Sequence, residues 1–198
     1  NNVHHTEQSR VKPRYITEDL HYSLENMGLD CFDIYLLHRD DESEPVEGLI
    51  DRLEEHRREG LIKVYGVSNW SIPRIKEAQD YAEKKGYQGI RVNSPSYSLA
   101  TILRPRFEGC VYADDDYIQW HIGKNIALIA WASLAVGFFA DAYKRDGTAP
   151  ADIAATYFCD ENFEKLARVK ELAAQKGVEP IHIALAYVLG QSVPIRWA

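Results

Sequence analysis

The sequence predicts an α/β fold built on a parallel sheet, and three observations predict it. Residues 32–38 read Phe-Asp-Ile-Tyr-Leu-Leu-His, an apolar strand that ends abruptly in His38 and the polar run Arg39-Asp40-Asp41. A strand of this length and apolarity suits a sheet whose two faces are both covered by helices. The event then recurs: residues 62–67 run into Ser68-Asn69-Trp70, residues 89–92 into Asn93-Ser94-Pro95, and residues 126–130 into Trp131-Ala132-Ser133. Between these strands lie segments of helical periodicity, Val46, Leu49, Ile50 and Leu53, then Ile72, Ile75, Ala78 and Ala82. Together they make repeated βα units.

Taken in order, the chain opens on a polar lead-in, residues 1–14, too polar for a signal peptide. His4 and His5 fall there, where a solvated loop accounts for them better than a metal site without further ligands. Residues 14–28 place Ile16, Leu20, Leu24 and Met27 on one helical face. Cys31 opens the first strand and is expected as a small buried hydrophobe. The strand then ends in His38. In an α/β barrel the carboxyl ends of strands hold the reacting groups, which makes His38 the first catalytic candidate. The competing reading is a strand-end histidine bonded to neighbouring backbone. Gly60 and Gly86 read as helix stops, and Ser71 before Pro73 as a helix start capped by its hydroxyl. Asp114-Asp115-Asp116 reads as a solvated loop or a helix start, because three adjacent carboxylates cannot all converge on one ion.

Composition narrows the function. The chain has 198 residues, enough for one domain with a sizeable core and no internal linker, and a formal net charge of −7. That balance argues against nucleic acid as a partner, since phosphate recognition requires a basic stripe. No apolar run approaches the roughly 20 residues of a membrane span, so no membrane partner and a cytoplasmic location are expected. Cys31, Cys110 and Cys159 are odd in number and far apart, which fits neither a disulfide framework nor a zinc site. No Gly-x-Gly-x-x-Gly follows any strand, so a nucleotide cofactor would have to be held by strand-end polar groups.

The run Leu29-Asp30-Cys31-Phe32-Asp33-Ile34-Tyr35-Leu36-Leu37-His38 resembles a signature of the aldo-keto reductase superfamily, a leucine-rich strand ending in the active-site histidine. Gly60-Leu61-Ile62-Lys63-Val64-Tyr65-Gly66-Val67-Ser68-Asn69-Trp70 resembles the family's next signature. The similarity continues more loosely through Val92-Asn93-Ser94-Pro95, through Ile129-Ala130-Trp131-Ala132-Ser133-Leu134, and into helices expected over 161–176 and 180–190. The Arg-Asp-Asp after His38 and the long excursion over 107–120 resemble a bacterial branch of the family.

What the resemblance implies is a parallel (β/α) TIM-type barrel that reduces an aldehyde or ketone with NADP or NAD. His38 matches the histidine that orients the substrate oxygen, and Ser68 and Asn69 match the pair that bonds the nicotinamide carboxamide. Trp131 matches the aromatic on which the nicotinamide stacks, and Ser133 and Leu134 match the start of the loop that passes the pyrophosphate. Ser94 stands where the family usually has a glutamine as a second carboxamide contact. No metal is implied.

Against the family pattern the given sequence corresponds to a stretch from about the third helix, residues 14–28, to the start of the eighth strand, residues 193–197. The expectation is therefore a single partial barrel domain over 1–198, a fragment whose open edges invite association. The general-acid tyrosine and its aspartate and lysine partners belong to earlier strands and have no match here, so this chain alone is expected to be inactive. The alternative is a non-catalytic binding or regulatory subunit that keeps the barrel. Trp70, Tyr97, Trp120 and Phe138 are open to two readings, a mouth for a cyclic carbonyl compound or packing between barrel and helices.

Overall fold

A computed structural model describes residues 9–147, 149–192 and 195–197. His4, His5 and the first two residues of the stretch 193–197 lie outside the described residues. The chain divides into two compact units, Asn1–Asn93 and Ser94–Ala198.

The first unit holds α1 (Pro13–Met27), β1 (Phe32–Leu37), α2 (Val46–Arg58), β2 (Ile62–Ser68), α3 (Ile72–Lys85) and the opening of β3 (Val92–Ser94). β1 and β2 pair in parallel with Phe32 opposite Ile62 and Leu37 opposite Val67. The expected helix faces form as the periodicity dictates: Ile16, Leu20 and Leu24 on α1, Val46, Leu49, Ile50 and Leu53 on α2, and Ile75, Ala78 and Ala82 on α3 are all buried. Met27 departs from this pattern and is 63% exposed, because it sits on the last turn where Gly28, at φ 63°, turns the chain away. Cys31 is half-buried rather than buried.

Two details of this unit correct the sequence reading. Ser71 does precede α3, but its hydroxyl makes no cap bond. Of the two amides a capping hydroxyl can serve, the one at the second helical residue is missing, because Pro73 has no N–H. The third strand begins at Val92 rather than at residue 89. Before it, Arg91 N–H donates to the Tyr65 carbonyl at 3.1 Å, and side chains hold the two amides that precede: Gly89 N–H donates to Tyr65 Oη at 2.9 Å and Ile90 N–H to Gln79 Oε1 at 2.6 Å. Tyr65 is in turn within 3.3 Å of Glu54 Oε2, and Arg57 donates to the same carboxylate at 2.8 and 3.0 Å. Burial alone would raise the Glu54 carboxyl, but these donors together hold it below its ordinary range.

The second unit holds the end of β3, then α4 (Asp115–His121), β4 (Ala127–Ala130), a 3₁₀ segment over Ala135–Ala140, α5 (Ala151–Tyr157), α6 (Asp160–Lys176), α7 (Pro180–Leu189) and β5 (Ile195–Trp197). β4 and β5 are parallel, with Leu128 opposite Ile195. The acidic triplet resolves as a helix start: Asp114 Oδ1 accepts the Tyr117 N–H at 2.8 Å, and Asp115 and Asp116 fill the first turn, where negative charge is favoured. Phe138 is fully buried against Phe139, Tyr157, Phe158 and Phe163, so its role is packing. Trp70 is fully buried in the first unit.

Candidate functional site

In the first unit the sequence-predicted residues meet at the carboxyl ends of β1 and β2. Asn69 follows β2 in the left-handed region, φ 61°, a conformation asparagine tolerates better than most residues. That turn aims its side-chain amide back along the strand ends. Asn69 Nδ2 donates to Ser68 Oγ and to the His38 backbone carbonyl, each at 3.1 Å. Ser68 and Asn69 are buried, whereas His38 is exposed.

The loop that carries His38 is clamped further by Trp70 and by Arg74, the second of which sequence reasoning missed. Trp70 Nε1 donates to the Arg39 carbonyl at 3.1 Å. Arg74, itself buried, donates to the carboxylate of Asp40 at 3.2 and 3.3 Å, to the Asp41 carbonyl at 3.3 Å and to the Glu44 carbonyl. Its guanidinium also lies 5.3 Å from the Trp70 ring centroid. Burial pushes the Asp40 carboxyl up from its ordinary value, against the opposing charge of Arg74. The signal in the sequence was the acidic pair Asp40-Asp41, one residue beyond the histidine, and an arginine on α3 after the next strand, which the parallel register of β1 and β2 brings together.

In the second unit Ser94 is buried and its hydroxyl donates to the Ile129 carbonyl at 2.8 Å, which ties β3 to β4. Trp131 follows β4 and exchanges backbone bonds with Pro95 and Tyr97. Its ring meets Tyr112 edge-on, with centroids 5.7 Å apart, and its Nε1 is buried with no hydrogen-bond partner among the described residues. Tyr112 was not anticipated. It comes from the excursion over 107–120, whose backbone returns to pair with Ser96. Ser133 Oγ donates to the Ala130 carbonyl at 3.1 Å, and the Leu134 carbonyl accepts from Gly137 and Phe139.

The backbone around Ser133 and Leu134 is unusual. Ala132, Ala135 and Val136 all have positive φ, at 54°, 49° and 55°. A β-branched residue in that region is a true outlier, and such conformations, at about 1–3 kcal/mol each, concentrate where a backbone must present groups to a ligand. No group of acidic, histidine or cysteine side chains among the described residues could hold a metal ion. No described helix is long and apolar enough to cross a membrane.

The fold matches a solved one. The glycerol dehydrogenase of Gluconobacter oxydans superposes with a TM-score of 0.71 over 95% of this chain and 56% of that one, at 23% identity, so the fold is the parallel (β/α) barrel type, present here in part. The model of the Aldo/keto reductase family matches residues 2–196, and the chain belongs to that family. Two curated relatives show its breadth. Aldo-keto reductase yakc (NADP(+)) of Schizosaccharomyces pombe is 29% identical over 187 residues, which cover 91% of this chain and 52% of the relative. A probable voltage-gated potassium channel subunit beta of Oryza sativa subsp. japonica is 26% identical over 184 residues, covering 88% and 53%. The chain spans about half the length of the curated relatives it matches.

Proposed function

We propose that the chain forms a single partial barrel domain of an NAD(P)H-dependent reductase of small aldehydes or ketones. The observation that carries this reading is the cluster at the ends of β1 and β2, in which one buried amide, Asn69, joins Ser68 to the His38 backbone and His38 itself stays exposed. A barrel kept only for its shape has no packing need for three polar groups at strand ends.

A nicotinamide cofactor, NADP or NAD, supplies the hydride when bound. The chain's residues suit it: Trp131 offers an aromatic face and a buried Nε1 donor without a partner among the described residues, and Ser68 and Asn69 present a preorganised polar pair. In this proposal Ser68 and Asn69 bond the carboxamide and so fix which ring face meets the substrate. Ser94 donates its hydroxyl hydrogen to the Ile129 carbonyl, and in this proposal its oxygen accepts a carboxamide N–H. Trp131 stacks on the ring, and Ser133 and Leu134 present the loop to the pyrophosphate. His38 orients the substrate oxygen and places a donor where negative charge develops, a position at which preorganised donors lower the barrier most. The name of yakc carries NADP(+), which favours NADP over NAD. The test is a titration of NADPH and NADH against the protein by fluorescence quenching; absence of binding to both removes the reading.

A second reading, a non-catalytic binding or regulatory subunit, is favoured by the relatives named as potassium channel beta subunits. It predicts cofactor binding without reduction of model aldehydes by a protein of the relatives' full length.

A further inference from the structure

In the second unit, α6 and α7 enclose a groove of about 570 Å³ that none of the residues above uses. Its floor is apolar, made by Val169 and Leu172 of α6 with Ile183 and Tyr187 of α7. That volume lies within the range of small-ligand sites. Leu172 and Tyr187 remain 38% and 37% exposed, apolar surface whose removal from water would be favourable.

The rim has one sign. Lys165, Arg168 and Lys176 line the groove and no carboxylate does, in a chain of net charge −7. Lys165 is committed to Glu161 at 2.8 Å and to Thr101 Oγ1 at 2.8 Å. Arg168 and Lys176 have no ion pair among the described residues. Eight residues apart on one helix, they stand about 12 Å apart along its axis with the Leu172 floor between them.

We propose that this groove binds an anionic amphiphile of the fatty-acid class. The alkyl chain lies along the floor between α6 and α7, and the carboxylate takes the planar fork of Arg168, which matches it in a bidentate way. Lys176, at the other end, covers the tail with its methylene stem while its ammonium stays in water.

The test is titration of the 198-residue chain with dodecanoate, followed by amide chemical shifts. Saturable shifts confined to α6 and α7 are expected, with at least tenfold weaker binding in Arg168→Ala. Ala186 lines the groove from an exposed position, so Ala186→Trp should fill it without disturbing the core and abolish the shifts, with the circular-dichroism melt unchanged. Dodecanol should bind at least tenfold more weakly than dodecanoate. No saturable shifts, equal binding by dodecanol, or binding unaffected by Ala186→Trp would each overturn the proposal. So would sedimentation showing a dimer through this face that dodecanoate fails to dissociate, since the groove would then belong to a second copy.

Discussion

The side-chain amide of Asn69 reaches the backbone carbonyl of His38 at 3.1 Å, and it does so from a backbone in the left-handed region, φ 61°. One residue thus fixes the position of its own carboxamide and that of the loop bearing the histidine. Two substitutions separate these roles. Asn69→Ala loses the amide and must also hold a left-handed Cβ, which costs roughly 1–2 kcal/mol, whereas Asn69→Gly loses only the amide. Urea denaturation should therefore find the glycine variant about 1 kcal/mol more stable than the alanine variant, although both have lost the bonds to Ser68 and His38.

Gly66 on β2 leaves no room for a side chain beside β3. A Cβ there would stand 2.1 Å from the Val92 carbonyl oxygen and 2.8 Å from Leu36 Cδ2. The first of these is backbone and cannot swing aside. Gly66→Ala should lower stability by about 3 kcal/mol or more, at the upper end of what overpacking costs. A urea midpoint within error of the parent would show that the two strands can separate at no cost.

The helices of the first unit were legible because each announced itself by a period that packing then honoured, as in Leu49, Ile50 and Leu53 of α2, whereas α5 gave no such signal. The bounds were less so. Gly89 and Ile90 were expected as strand, yet the side chains of Tyr65 and Gln79 take their amides, and no local pattern reveals such a distant side-chain partner. His38, Ser68 and Asn69 were readable as motif residues. The Arg74 clamp and the Tyr112 contact with Trp131 were not, since each depends on residues more than 15 positions apart meeting only in the folded chain. The positive φ angles of Ala132 and Val136 had no sequence signal either, since neither residue favours that region.

Stability should fall in acid through Glu54. Its carboxyl, buried and bonded by Arg57, Tyr65 and the Gln88 N–H, is held below its ordinary value of 4.5. A group depressed in the folded state stabilises above the unfolded value, and that contribution is lost as pH falls through the folded one. The urea midpoint should thus hold steady above about pH 5 and drop below it, and Glu54→Gln should flatten part of the drop while lowering stability at neutral pH. An unchanged acid limb in Glu54→Gln would assign the acid sensitivity elsewhere.

The purified 198-residue chain should show no useful NADPH-dependent reduction of a model aldehyde. Its sequence has no match to the family's general-acid tyrosine, and the loss of a general acid typically costs about 100- to 10,000-fold. Turnover that His38→Ala abolishes would contradict this and require a different proton donor within the chain.

Binding and turnover should separate in four variants compared in a protein of the relatives' full length. Asn69→Ala would leave polar groups of a bound carboxamide unpaired, at about 1–3 kcal/mol, or roughly five- to 150-fold in affinity. Trp131→Ala removes the proposed stacking face and should weaken binding by about 0.5–1.5 kcal/mol beyond the lost area. Trp131→Phe keeps a smaller face, so its loss should be the lesser of the two. His38→Ala should behave differently, with cofactor affinity nearly unchanged and the rate of reduction lowered, because its proposed partner is the substrate oxygen. Fluorescence titration of NADPH together with steady-state rates reads both quantities on each variant. Binding unchanged in Asn69→Ala and Trp131→Ala would make the strand-end groups structural and remove the oxidoreductase reading, whereas a parent that binds the cofactor without reducing aldehydes would favour the non-catalytic one.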